Sequence, residues 1–163
     1  MGETNRKEAV AALHRAQIMT AAGKLFSEKG YEQTTIEEIS KEAEYSRRTI
    51  YTYYESKEDI LHRIIEKGLQ ALKTDIENAV KDNAGFVDAY RAVCGAMSRY
   101  RREYPHSLGR LNRSGDEEIG QAVKSAAVKN ILRLGTEINE TLEALIIRGQ
   151  ENGEVRKDIV PTL

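Results

Sequence analysis

Apolar residues recur at three- and four-residue steps along nearly the whole chain, the period of helices that bury one face. Within residues 8–29, Val10, Leu13, Ile18, Ala21, Ala22, Leu25 and Phe26 share such a face, and Gly30 is the expected left-handed stop. Two short periods follow, Ile36, Ile39 and Ala43, then Ile50 and Tyr54. Lys57 opens a long helix with Ile60, Leu61, Ile64, Ile65, Leu69, Leu72, Ile76 and Val80 inward, ended by Asp82-Asn83-Ala84-Gly85. A helix over residues 86–103 is predicted to turn Phe86, Val87, Tyr90, Val93, Cys94, Met97, Tyr100 and Tyr104 inward. Pro105 breaks it, and residues 108–114, with Arg110 and Arg113, read as a short basic connection. The stripe from Ile119 to Gly149 predicts one long helix or two, kinked near Gly135. With two prolines and helical periods nearly everywhere, the chain is expected to be all-α.

The stretch 34–57, TTIEEISKEAEYSRRTIYTYYESK, reads as two short helices joined by a tight turn. Thr34 or Thr35 can cap the first, and Glu37 and Glu38 lie in its first turn, where the helix dipole favours acids. After a turn at Glu44 and Tyr45, Ser46 caps the second helix, whose first turn carries Arg47, Arg48 and Thr49 outward while Ile50 and Tyr54 point inward. Guanidinium groups at that end of a helix are placed to reach guanine edges in a major groove. Thr35, Thr49, Tyr51, Tyr53 and Lys57 add hydroxyls and an ammonium of the kind that hold phosphates and fix register. Two adjacent arginines on a short helix are also an ordinary solvated surface, so this pattern alone leaves both readings open.

The framing residues Ala21-Ala22, Leu25-Phe26, Lys29-Gly30-Tyr31, Thr34-Thr35-Ile36, Ile39, Ala43, Ser46, Thr49-Ile50-Tyr51, Tyr54, Ser56-Lys57 and Ile60-Leu61 closely resemble the amino-terminal domain of the TetR family. The likeness runs without a gap from about residue 18 to residue 61. It implies a three-helix helix-turn-helix DNA-binding head joined by a long helix to a helical ligand-binding and dimerisation body. The function implied is that of a repressor binding a near-palindromic operator as a homodimer and released by a small effector. The expected divisions are a flexible arm over 1–10, a DNA-binding domain over 11–71 with the helix-turn-helix at 35–54, and a regulatory domain over 72–163. The expected DNA contacts are Thr35, Ser46, Arg47, Arg48, Thr49, Tyr51, Tyr53 and Lys57. The sequence departs from the family's usual Gly-Val at Glu44-Tyr45 and from its frequent small residue at Arg48. A left-handed residue at Glu44 would cost about 1 kcal/mol relative to glycine. Residues 153–161 resemble the loop that precedes the family's final dimerising helix. The sequence ends there, either short of that helix or as a short-bodied member whose dimer rests on the helix ending near Gln150.

Charge adds little, since a formal net charge of −1 gives no general attraction for nucleic acid and leaves it to a local patch at Arg47, Arg48 and Lys57. One cysteine, Cys94, and three scattered histidines, His14, His62 and His106, suggest neither a disulfide nor a zinc set, and no cofactor is expected. No apolar run approaches the length of a membrane span, so a cytoplasmic protein is expected. No Ser, His, Asp or Cys arrangement pairs a nucleophile with a base, which makes a helical-bundle enzyme the weaker alternative; a helical interaction module without DNA binding is another. A pocket for a small, mainly apolar effector is expected at Tyr90, Cys94, Met97, Tyr100 and Leu111, on the aromatic and sulfur-bearing stripe of the body.

Overall fold

The structure, a computed structural model, describes residues 2–105 and 126–161. The described residues form helices α1 (Gly2–Lys29), α2 (Ile36–Glu42), α3 (Arg47–Tyr53), α4 (Lys57–Asp82), α5 (Phe86–Glu103) and α6 (Ala126–Glu151), with no strand among them. The fold is all-α. Two compact units divide it, Met1–Ile64 and Ile65–Leu163, and the division lies inside α4.

In the first unit, α1, α2 and α3 pack on one another around Ile18, Ala22, Phe26, Ile39, Ile50, Ile60 and Leu61, all essentially removed from water. Gly30 stops α1 at φ 88°, with its N–H donating to the Phe26 carbonyl, a left-handed position at which a side chain would be strained. At the amino end, α1 runs back to Gly2, through the segment expected as an arm over 1–10. Glu8, Ala9, Ala11 and Ala12 are strong helix formers, and the Arg15 guanidinium reaches Glu8 at 3.2 Å. Val10 and Leu13, expected on the buried face, are 45% and 57% exposed, because the core begins only at Ile18.

In the second unit, Leu69, Leu72 and Ile76 of α4, Ala89, Val93, Ala96 and Tyr100 of α5, and Ala127, Ile131, Leu134, Ile138 and Leu145 of α6 are buried. Gly68 permits the α4–α5 approach; a Cβ there would stand 2.8 Å from the Tyr104 ring and 3.0 Å from Tyr100. The corner between α4 and α5 is tied from the end of α6, where Arg148 donates to the Val80 and Asn83 carbonyls at 3.3 and 3.1 Å. Glu154 accepts from the Phe86 N–H at the start of α5. Helix α6 passes through Gly135 as one element.

The inward face predicted for α5 is corrected. Val87, Tyr90, Cys94 and Met97 lie on its exposed side, and the packed side is Ala89, Val93, Ala96 and Tyr100. The small Ala89 and Ala96 suit a close helix contact, and Val93 and Tyr100 are buried beside them. Of the expected effector pocket, Tyr90, Cys94 and Met97 therefore face solvent in this chain, Tyr100 faces inward, and Leu111 lies outside the described residues, as does the expected basic connection over 108–114.

Candidate nucleic-acid interface

Helix α2 begins with a reciprocal cap. The Thr35 hydroxyl oxygen accepts from the Glu38 N–H at 3.3 Å, while Glu38 accepts from the Thr35 N–H at 2.9 Å. Of the two candidate threonines the cap is Thr35; Thr34 is buried, its hydroxyl donating to the Gly30 carbonyl. A hydrogen bond from Lys29, joined by those from the Thr35 backbone and hydroxyl, holds the Glu38 carboxyl down to about 2. Helix α3 is capped by Ser46, whose hydroxyl accepts from the Thr49 N–H at 3.0 Å and bonds the Thr49 hydroxyl at 2.8 Å. Thr35, Ser46 and Thr49 thus hold the amino ends of the two helices in the free protein.

Three lysines of α1 and α2 are paired with acids of α2. Lys24 meets Glu42 at 2.6 Å, Lys29 meets Glu38, and Lys41 meets Glu37 at 3.1 Å. The hydrogen bond and charge of Glu42 raise the Lys24 pKa. Arg47 and Arg48 differ: both are exposed, and their guanidinium groups bond to nothing among the described residues. No acid shares their turn of helix. Tyr51 is also exposed, beside them on α3.

Lys57 stands apart from these. Its ammonium donates to the Tyr31 carbonyl at 2.9 Å and the Thr34 carbonyl at 2.8 Å, and it lies 4.1 Å from the centre of the Tyr31 ring. The side chain expected to hold a phosphate is engaged inside the head, where it fastens the α1–α2 connection to the start of α4. Tyr53 is likewise engaged, its hydroxyl 2.8 Å from Nδ1 of His14. His14, Gln17 and Tyr31 were not singled out by the sequence as part of this surface; they meet the α2–α3 turn, α3 and α4 through contacts between residues far apart in the chain, which no periodicity reveals.

The turn between α2 and α3 holds Glu44 at φ 59°, the one non-glycine residue with positive φ among the described residues. Tyr45 N–H donates to the Ser40 carbonyl at 2.9 Å and closes the turn. Glu44→Gly is expected to stabilise the protein by up to about 1 kcal/mol, the left-handed cost less the greater freedom of glycine in the unfolded chain. It should also tighten binding to every duplex alike, since an acid leaves the approach to α3. Urea midpoints and gel shifts measure the two effects, and an unchanged midpoint would mean that the turn carries no such strain.

Two capped short helices, the second presenting unpartnered guanidinium groups, define a helix-turn-helix protein. Residues 18–64 match the family described as bacterial regulatory proteins, tetR family. The chain is 37% identical over 86 residues to the HTH-type transcriptional regulator HbdR of Aromatoleum sp. (strain CIB), a match covering 53% of this chain and 36% of that one. It is 42% identical over 94 residues to the uncharacterized HTH-type transcriptional regulator YfiR of Bacillus subtilis (strain 168), covering 58% and 42%. The chain thus spans less than half the length of these two curated relatives. Over a longer extent it is similar to the crystal structure of the TetR family transcriptional regulator PfmR from Thermus thermophilus, at 30% identity and a TM-score of 0.71, covering 88% of this chain and 76% of that one. The chain belongs to the TetR family.

Proposed function

We propose that this protein is a sequence-specific DNA-binding transcriptional regulator, a repressor that binds a near-palindromic operator as a homodimer. The observation that carries the reading is the pair Arg47 and Arg48, exposed and unpartnered at the start of α3 while the lysines around them are held by acids. In a head with balanced charge, these are the groups left to read base edges, and Tyr51 lies beside them for a phosphate. Helix α3 is seven residues long and reaches few bases, so useful specificity calls for two heads on a two-fold site.

Regulation by a small, mainly apolar effector in the body completes the proposal, with Tyr100 as the inward-facing member of the expected pocket. Linkage requires that the effector bind the DNA-incompetent state more tightly, and a coupling of about 1 to 3 kcal/mol is enough for a useful switch. No helix among the described residues is long and apolar enough to cross a membrane, which fits a protein acting on DNA in the cytoplasm. The named relatives are transcriptional regulators, which supports a binding protein rather than an enzyme.

Footprinting and gel shift on the DNA upstream of its own gene test the reading. Protection of one near-palindromic site at moderate salt is expected. Absence of protection there and on a random-sequence pool would overturn it.

A further inference from the structure

Three phenols from the two ends of α3 are anchored on one short stretch of α1. Tyr45 donates to the Gln17 side chain, Tyr54 donates to the Arg15 carbonyl at 2.9 Å, and Tyr53 meets Nδ1 of His14 at 2.8 Å. The half-buried imidazole of His14 is held between two rings, tilted on Tyr45 at 5.2 Å and edge-on to Tyr53 at 5.6 Å. The titratable and charged groups that face it are Tyr45 from the turn, Tyr53 from α3, and Arg15 on its own helix, whose guanidinium lies 5.8 Å from the Tyr53 ring centre. Among the described residues no carboxylate bonds to the imidazole.

A phenol has one proton to give and lone pairs to accept with. If His14 carries its proton on Nε2, Tyr53 must donate to Nδ1 and has no proton left for a phosphate. If His14 carries a proton on Nδ1, it donates to the phenol oxygen, and the Tyr53 proton is free to turn outward. Resting on the reading of the head as a DNA binder, we infer that His14 is a positioning residue for a phosphate contact of Tyr53, made through the chain His14 Nδ1–H to Tyr53 O–H to phosphate oxygen. Each bond in such a chain polarises the next. Contact with DNA selects the Nδ1-protonated form.

The probe is a duplex enriched by the wild-type protein from a random-sequence pool. At pH 8, His14→Leu and Tyr53→Phe are each expected to weaken its binding by roughly tenfold, the effect of one hydrogen bond to a charged group, and the double variant no further than Tyr53→Phe alone. His14→Gln, whose amide can donate to the same oxygen, is expected to restore wild-type binding. Additive losses in the double variant, or a His14→Gln variant that binds as weakly as Tyr53→Phe, overturn the inference. The second comparison holds even if His14→Leu fails to fold. A wild-type protein that enriches no duplex overturns the DNA-binding reading itself, whereas enrichment that is lost in Arg47→Ala but indifferent to His14 overturns only the role of His14.

Discussion

Arg47→Ala and Arg48→Ala are each expected to cost about 1 to 3 kcal/mol of preference for the operator over random duplex, while leaving the protein as stable as wild type or slightly more so. The opposite signs come from one placement. Both guanidinium groups sit in the first turn of α3, where the helix dipole presents partial positive charge, and no acid shares that turn. A cation there destabilises a helix by about 0.3 to 1 kcal/mol, and neither arginine recovers this through a partner in the free protein. An unfavourable pair kept in this position makes sense when its partner is the anion-lined groove of DNA. Competition gel shifts give the specificity ratio and thermal melts give the stability. If both alanine variants keep the wild-type ratio, or if both melt well below wild type, the arginines are part of the framework and not the reading surface.

Much of the head was legible in the sequence because its signals are local. A capping threonine with Glu38 three residues on, a second cap at Ser46 and a glycine after Lys29 are short-range devices, and the structure shows each in use. The choice between Thr34 and Thr35 turned on burial: Thr34 has its hydroxyl on Gly30, which leaves Thr35 at the helix start. What stayed hidden is the third dimension of the same surface. Lys57 lies far from Tyr31 and Thr34 along the chain, and Tyr53 far from His14, so Lys57 and Tyr53 both read as polar groups available to DNA.

The body was harder for a different reason. Helix α5 carries apolar residues on more than one face, and the period that includes Tyr90, Cys94 and Met97 is as regular as the one that includes Ala89, Val93 and Ala96. Weighing residues by size favours the first, whereas packing favours the second, because α4 approaches α5 closely enough that Gly68 touches Tyr100 and Tyr104. At the amino end, the polar residues 5–8 resembled an arm because nothing buries them. Helix propensity, with the Arg15–Glu8 pair, extends α1 through that stretch although all of residues 5–10 are exposed.

Lys57→Met is expected to lower stability by about 2 to 4 kcal/mol, a large share of the roughly 5 to 15 kcal/mol that holds a folded protein together. Methionine keeps the apolar stem and removes the ammonium. Two carbonyls, of Tyr31 and Thr34, then lose a charged donor, and the Tyr31 ring loses the cation over its face, a contact worth about 0.5 to 1 kcal/mol. Arginine should not restore the arrangement, since its planar fork does not match two backbone carbonyls converging on one point. The Thr34 carbonyl immediately precedes the cap of α2, so the substitution should also loosen the entry to that helix and weaken binding to all duplexes alike. A second measurement separates this from a direct phosphate contact. Removing a phosphate contact lowers the slope of log affinity against log salt by about 1, whereas removing an internal fastening leaves the slope intact and moves the melting temperature. A Lys57→Met protein that melts like wild type but shows the lower salt slope would place the ammonium on DNA, and the bonds to Tyr31 and Thr34 would then be only its resting position.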